Sequence, residues 1–225
     1  MSDTPMHQVA DSMTIVDVDS LPSPRADSAA ADEAAGEALN ALLTRRSISA
    51  KRLLAPGPDA AAIQAMLKAA LRAPDHGALH PWRVIEFPDS QRGALADIFE
   101  DEKRRRDPHA SQDDLSRARE HATRSPVLLA FVVTVRASRK VPEAEQWLTA
   151  GAALGNLLNA AHMLGFGAIM LSGERCADPT LMARLGVSPD EVLAGFISVG
   201  SIAKAPRDND HRATGEVWSA WAPNA

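Results

Sequence analysis

Three short segments of the sequence contain residues whose types and spacing suit ligand binding. The first is Arg45-Arg46-Ser47, at the end of a stretch with helical apolar spacing. Two guanidinium groups and a hydroxyl can surround a phosphate, because arginine binds an oxyanion through two parallel hydrogen bonds. Basic residues in a last helical turn also complement the helix dipole without any ligand. The segment by itself therefore indicates a phosphate site only weakly.

The second segment runs from Arg72 to His76 and continues to His80-Pro81-Trp82. An arginine at a predicted helix end and a histidine in the following loop suit a planar ligand. His76 and His80 lie in a proline-bounded loop with no evident third ligand, so we expect no metal site. The Asp-His pair is not accompanied by a G-x-S-x-G nucleophile elbow, which disfavours a hydrolytic triad.

The third segment, Gly165 to Gly173, has glycines on both sides of a short apolar run. Glycine lets a backbone approach a flat ligand closely, because it has no Cβ atom. The segment does not match the G-x-G-x-x-G dinucleotide fingerprint, and the chain contains no P-loop G-K-[ST] sequence. A Rossmann site and a P-loop site are therefore not supported.

Hydrophobic periodicity predicts the elements that position these segments. The predicted helices cover about 32–46, 59–73, 89–123 with a break at Asp107-Pro108, 143–164 and 178–185. The predicted strands are 82–87, 126–135, 166–171 and 193–199. The helices and strands do not alternate strictly, which favours an α+β fold over a doubly wound sheet. The helix 143–164 has hardly any polar face, which predicts burial on nearly all sides and therefore a subunit interface.

Composition sets the class of protein. The chain has 225 residues, and we expect one domain over 31–225 after a flexible N-terminal extension over 1–30. The net charge of −5 provides no positive field for nucleic acid or an anionic membrane. Cys176 is the single cysteine, so an intramolecular disulfide is excluded and a structural thiol in a reducing cytoplasm is favoured. We expect neither a signal peptide nor a membrane span.

Taken in chain order, the motifs resemble those of the nitroreductase family, most closely its compact YdjA-like branch. They are R-R-S, R-A-P-D-H with H-P-W, E-Q and T-A-G on the long helix, and G-F-G with S-G. The resemblance runs from about Ala38 to Lys204, and 72–82 is its most specific part. It implies an α+β nitroreductase-like fold, with a central mixed sheet flanked by helices in an interlocked homodimer. It also implies an oxidoreductase that passes electrons from NADPH or NADH through FMN to a small acceptor such as a nitroaromatic or quinone.

The resemblance further implies which residues bind the cofactors. Arg45, Arg46 and Ser47 would hold the FMN phosphate and ribityl chain, with Lys204 as an extra phosphate contact. Arg72 and His76 would contact FMN from the same subunit, and either could stabilise the reduced ring. From the partner subunit, the isoalloxazine would be contacted by Met170, Leu171 and Ser172. The segment implied for NAD(P) is the helix end formed by Ala160, Ala161, His162, Met163, Leu164 and Gly165. No catalytic amino acid is expected, because the flavin carries the chemistry.

Two features depart from the pattern of that branch, which has tryptophan and arginine where this chain has Met170 and Leu171. The chain also lacks tyrosine and is only 4% aromatic, so an elaborate aromatic pocket is not expected. Two alternatives therefore stay open. One is another flavin reaction on the same fold, such as desaturation or dehalogenation, and the other is a flavin-binding or sensing dimer with little turnover.

Overall fold

The computed structural model describes residues 29–204 and 214–221. The chain divides into two compact units, Met1–Asn40 and Ala41–Ala225. The described part of the first unit is helical and belongs to helix α1, Ala29–Thr44. The predicted extension over 1–30 falls almost wholly outside the described residues, so its flexibility and the domain boundary at residue 31 stay predictions.

Six α-helices and five β-strands form the regular structure of the described residues. The helices are α1 (Ala29–Thr44), α2 (Ala60–Ala70), α3 (Arg92–Arg106), α4 (Gln112–Thr123), α5 (Glu143–Met163) and α6 (Pro179–Arg184). The strands are β1 (Leu53–Leu54), β2 (Trp82–Glu86), β3 (Val127–Val133), β4 (Gly167–Leu171) and β5 (Val192–Ile202). The predicted elements are all present, whereas the two-residue strand β1 was not predicted.

Local capping explains where several helices begin. The side chain of Asp59 accepts a hydrogen bond from the Ala62 amide at 2.8 Å, which confirms it as the N-cap of α2. Ser111 and Asp114 form a reciprocal capping box at the start of α4. This new start, together with the end of α3 at Arg106, confirms the break expected at Asp107-Pro108.

The five strands form one sheet in which β5 pairs with β1, β3 and β4, and β3 pairs with β2. All four pairings are antiparallel. A mixed sheet was expected, and the described residues supply a parallel contact only through the isolated bridge between Ser47 and Ala168. The fold is otherwise the predicted α+β arrangement of helices on a central sheet.

Strand β3 is buried on both faces of the sheet, as predicted. Leu129, Phe131 and Val133 point to one face, where they pack with α2 and α5. The alternate residues point to the other face and pack with α3, α4 and α6, because side chains alternate across a strand. We call these the α5 face and the α3–α4 face.

Helix α5 is only half buried within one chain. Its buried side is formed by Gln146, Thr149, Ala150, Ala153, Leu157 and Ala161. Trp147 and Leu148 lie on the other side, and Leu148 is 72% exposed. The expected burial on nearly all sides included a subunit interface, so for the exposed side of α5 it stays a prediction. Within 29–204 and 214–221, no helix has the length and apolar character to cross a membrane.

Candidate functional site

The segment Arg45-Arg46-Ser47 is fixed against the edge of β4. The Ile48 amide donates to the Ala168 carbonyl at 3.0 Å, and Ser47 pairs with Ala168 in a parallel bridge. Gly167 makes this approach possible. A Cβ atom there would lie 2.8 Å from Leu53, 2.9 Å from Ile202 and 3.0 Å from Ile48, closer than packed atoms tolerate. The segment Arg45–Ser47, which carries donors suited to a phosphate, thus lies beside β4 within one chain.

The donors of this segment differ in how far the protein already uses them. Arg46 donates from Nη1 to the carbonyls of Leu43 at 3.2 Å and Arg45 at 3.1 Å, so it helps to complete the end of α1. The side chains of Arg45, which is half-buried, and Ser47, which is exposed, make no hydrogen bond to any other described residue. Arg45 and Ser47 are therefore the donors that a ligand can engage.

The end of β4 offers backbone rather than side chain to a ligand. Met170 is half-buried and packs into the core of the α5 face, whereas Leu171 and Ser172 are exposed. Gly173 follows with φ 152° and ψ −176°, a conformation that essentially only glycine adopts. No atom lies within 4 Å of the place where a Cβ of Gly173 would be, so the chain is bare and open at this point.

The loop after α2 is held in shape by Asp75, a role that sequence reasoning missed. Its carboxylate accepts hydrogen bonds from the amides of Leu79 at 3.1 Å and His80 at 2.8 Å. Ala78 and His80 have positive φ angles of 50° and 46°, which are uncommon outside glycine. The Asx-type bonds stabilise this strained loop, and they were detectable in principle from an aspartate that precedes a turn.

His76 also has a partner that was not foreseen. Its Nδ1 lies 2.9 Å from Oε2 of Glu145, in the first turn of α5, and both side chains are substantially exposed. Thr149 ties the same loop to α5 by donating to the Pro74 carbonyl at 2.9 Å. Arg72 is exposed at the end of α2. The Arg72–His76 segment thus lies towards the N-terminal end of α5.

The two predicted halves of the FMN site lie towards opposite ends of α5. Thr44, which precedes Arg45, has its Oγ1 3.3 Å from Nε2 of His162 near the C-terminal end. Glu145 and His162 are 17 positions apart on α5, which corresponds to about 25 Å along a helix. We expected Arg72 and His76 to join Arg45–Ser47 within one subunit, with Met170–Ser172 coming from the partner. Within one chain, the bridge between Ser47 and Ala168 places Arg45–Ser47 beside the start of β4, the strand that carries Met170 and Leu171.

The segment implied for NAD(P) closes α5 next to Thr44. Gly165 has a left-handed φ of 82°, and the Phe166 amide donates to the Ala161 carbonyl at 2.9 Å, which ends the helix. The side chain of Ala161 is buried in the core. Met163 and Leu164 are exposed, and Ala160 and His162 are half-buried. A nucleotide contact here would fall on the exposed residues and the backbone.

The remaining titratable candidates do not form a separate reactive centre. Burial raises the pKa of the Cys176 thiol, which keeps it protonated and poorly nucleophilic. In the part of the chain that the structure describes, no group of three or more His, Cys, Asp or Glu side chains is placed to hold a metal ion. The described site thus consists of the hydrogen-bond donors of Arg45 and Ser47 and the exposed backbone at the end of β4.

Known proteins resemble this chain over most of its length. The sequence model of the nitroreductase family matches residues 42–201. YdjA of Escherichia coli strain K12, named as a proposed NAD(P)H nitroreductase, is 31% identical over 167 residues, covering 73% of this chain and 88% of that protein.

Solved structures resemble the fold. The nitroreductase-like family protein from Bacillus cereus superposes with a TM-score of 0.69 at 18% identity, over 81% of this chain and 95% of its own. A proposed nitroreductase from Desulfovibrio desulfuricans, crystallised with FMN, gives a TM-score of 0.62 at 25% identity, over 83% of this chain and 98% of its own. With its motifs, its fold and a family match over most of its length, the chain belongs to the nitroreductase family.

Proposed function

We propose that this protein is an FMN-dependent oxidoreductase that transfers electrons from NADPH or NADH to a small oxidised acceptor, such as a nitroaromatic or a quinone. The observation that carries the proposal is the pairing of Ser47 with Ala168, which sets the phosphate-type donors beside β4 and its glycine end. The activity named for YdjA and the FMN in the Desulfovibrio desulfuricans structure support it. The lone cysteine suits a reducing compartment, so we place the protein in the cytoplasm.

The donors of this site fit FMN. Arg45 and Ser47 have side-chain donors without hydrogen-bond partners among the described residues, so these donors are available to a phosphate. The side chains of Ile202 and Ile48 both lie beside Gly167. Lys204 is exposed and follows Ile202 by two residues, so Lys204 lies at the same edge of the sheet as Ser47. Gly173 leaves open backbone beside the exposed Ser172, where a flat ring can lie against the chain.

Bound FMN supplies the electron-transfer chemistry, so the protein needs to bind, orient and shield it. His76 is positioned by the carboxylate of Glu145, which fixes the orientation of the imidazole. The exposed guanidinium of Arg72, in the same loop, adds a positive charge that favours an electron-rich ring. None of these tasks needs a nucleophile, in keeping with the protonated thiol of Cys176.

We further propose that each site is completed by a second copy of the chain. Arg45–Ser47 and β4 come from one subunit, while Arg72 and His76 come from its partner, because about 25 Å of α5 separates His162 from the Glu145 that holds His76. The exposed side of α5 fits this arrangement. It carries Leu148, and the position of a Cβ on Gly151 or Gly155 is open, which allows a second backbone to approach.

Mixing two inactive variants tests this assignment. Arg45→Gln and His76→Ala each damage every site in their own homodimers. In a heterodimer, a site shared between chains has Arg45 from one variant and His76 from the other, so one of the two sites is intact. Random mixing should then restore about a quarter of the wild-type sites, counted by FMN bound and by NADPH oxidation. No recovery in proven heterodimers would show that each site is built within one chain.

Anaerobic reduction of the bound flavin separates the oxidoreductase from the alternatives. Purified protein should carry FMN whose visible bands bleach on addition of NADPH or NADH. Arg45→Gln should raise the FMN dissociation constant at least about tenfold, because a charge-assisted hydrogen bond is lost. Arg184→Gln, which removes a surface arginine paired with Asp101, is the matched control and should bind normally. Flavin that binds but is not reduced would favour the sensing dimer, and product analysis would identify a desaturase or dehalogenase.

A further inference from the structure

A cavity separate from the Arg45–Ser47 segment lies on the α3–α4 face, beyond the end of β4. It has a volume of about 260 Å³ and is shared between β4, β5 and the helices α3 and α4. Its apolar wall includes Phe99, Leu128 and Phe196, and the rings of Phe99 and Phe196 meet edge to face with centroids 5.1 Å apart. Leu171, Ser172 and Gly173 form part of its rim, so the cavity adjoins the end of β4.

Three arginines line this cavity, and they differ in how they are paired. Arg106 donates to Glu102 at 2.5 Å and to Glu174 at 2.6 Å, and Arg124 donates to Glu120. The side chain of Arg175 makes no hydrogen bond to any described residue. Its side chain is only 14% exposed, and its Nε lies 3.8 Å from Oε2 of Glu102.

The Arg175 guanidinium is held near its counter-charge but is not hydrogen-bonded to it, and Oε2 of the buried Glu102 has no hydrogen-bond partner among the described residues. The guanidinium lies 4.4 Å from the ring centroid of Phe99, a cation–π contact that fixes its position but accepts none of its five N–H groups. Burial lowers the pKa of Arg175 accordingly. Buried polar groups normally have hydrogen-bond partners, and the N–H groups of Arg175 that face the cavity are available to an acceptor bound there.

The charges around the cavity favour an anion. A shallower cavity adjoins it through His121 and Arg124. With the ion-pair partners included, five cations face four carboxylates: Lys51, Arg106, Arg117, Arg124 and Arg175 against Glu102, Asp114, Glu120 and Glu174. Desolvation, followed by the charges of Arg175 and Arg124, lowers the pKa of His121 to about 4, so the imidazole is neutral at pH 7. The surplus positive charge is therefore carried by permanent cations.

We propose that this cavity binds a small aromatic carboxylate, with the oxyanion held by Arg175 and the ring against Phe99, Leu128 and Phe196. The volume of about 260 Å³ is at the lower end for ligand sites and suits a single ring with one charged group. Because Leu171–Gly173 belong to both this cavity and the flavin site, a ring bound here lies beside the end of β4. If the proposed function holds, anionic aromatic compounds are then the preferred electron acceptors; this part of the inference rests on the proposed function.

Binding to the FMN-loaded protein tests the cavity without any turnover. Calorimetry should show that benzoate binds at least about tenfold more tightly than benzamide, which has the same shape without the charge. Arg175→Gln should abolish this preference and Arg175→Lys should retain part of it. Arg119→Gln, an exposed arginine of α4 paired with Asp97 and Glu100, is the matched control and should keep the full preference. Equal binding of the two probes to wild type would overturn the proposal.

A second variant guards against misfolding, because Arg175 also faces the buried Glu102. Arg124 pairs with the exposed Glu120, so Arg124→Gln should fold normally and still weaken benzoate several-fold. Unchanged benzoate binding in this variant and in folded Arg175→Gln would sink the assignment.

The preference for anionic electron acceptors is tested by comparing kcat/KM for 4-nitrobenzoate and 4-nitrobenzamide. A preference for the carboxylate that disappears in Arg175→Gln supports the substrate class, and equal values contradict it. If the protein lacks FMN, the proposed function fails, and the same benzoate calorimetry on the FMN-free protein then decides the cavity by itself.

Discussion

The two faces of the sheet bury different kinds of side chain. On the α3–α4 face, charged groups enter the interior and find their partners inside the chain. Arg92 is almost fully buried and donates to the carbonyls of Phe87 at 2.8 Å and Ala122 at 2.6 Å. Glu102 is fully buried and is paired with Arg106. Most of the buried charge on this face is therefore paired within the chain, and the Arg175 guanidinium beside the proposed cavity is the exception.

On the α5 face, the core is apolar and continues into an exposed apolar surface. Trp147 and Leu148 have no covering element among the described residues. A buried charge must be paired within the chain, because an unpaired one destabilises the fold. An exposed apolar helix side costs less and is completed by association. The ion-paired face therefore stabilises the subunit, and the apolar face is the one on which we propose that the partner binds.

Substitution of Leu148 should have the largest effect. Leu148→Glu places a charge at a symmetric contact, where it occurs twice and would be buried unpaired. The dimer dissociation constant should rise by at least about a hundredfold, equivalent to roughly 3 kcal/mol. Sedimentation velocity should show monomers, and FMN should be lost together with the dimer.

Val192→Glu is the control for this experiment, because Val192 is an exposed apolar residue of β5. It should leave both the dimer and its FMN intact. A Leu148→Glu protein that remains dimeric would place the interface away from this side of α5.

On the α3–α4 face, the clearest effect should appear in acid. Hydrogen bonds from Arg83, at 2.7 Å, lower the pKa of Glu191 from its ordinary value of 4.5 to about 2. The stability that this carboxylate contributes is complete above pH 4.5 and is lost as the pH falls towards 2. The unfolding free energies of wild type and Glu191→Gln should therefore converge by roughly 1–2 kcal/mol between pH 6 and pH 3.

Urea titrations at two protein concentrations measure this convergence and separate an effect within one chain from an effect on subunit association. The difference between wild type and Glu191→Gln should not depend on concentration, since the pair lies within one chain. A constant difference across this pH range would mean that Arg83 does not stabilise the charged carboxylate.

The smallest expected effect concerns the backbone at the end of β4. Gly173→Ala forces a Cβ into a conformation reserved for glycine and should cost about 1–2 kcal/mol of stability. Because the surrounding space is open, the loss should arise from the backbone and should be accompanied by weaker FMN binding. Gly186→Ala, at φ 70° in similarly open space, should lose about 1 kcal/mol and bind FMN normally. Equal FMN affinity in both variants would remove Gly173 from the site.

Sequence reasoning was strongest where the physical signal is local. The start of the helix predicted over 59–73 is confirmed at Asp59, because a carboxylate there can reach the first amides of the helix that follows it. The strand predicted over 126–135 is observed as Val127–Val133, and it was detectable because β-branched and apolar residues run without interruption. The two-residue strand β1 was missed, since Leu53 and Leu54 carry no periodic pattern of their own. Asp75 and Glu145 were missed as partners, because their bonds depend on the fold around them.

By itself, the sequence determined the order of helices and strands, the family, and the residue types available to hold a phosphate and a flat ring. These follow from caps, prolines and periodicity, which act over a few residues. Only the tertiary structure decided that Ser47 meets Ala168, that His76 meets Glu145, and that α5 keeps the two groups towards opposite ends. Spacing along the chain does not specify which distant segments pair. That choice depends on strand register and helix packing, and it divides the proposed flavin site between two copies of the chain.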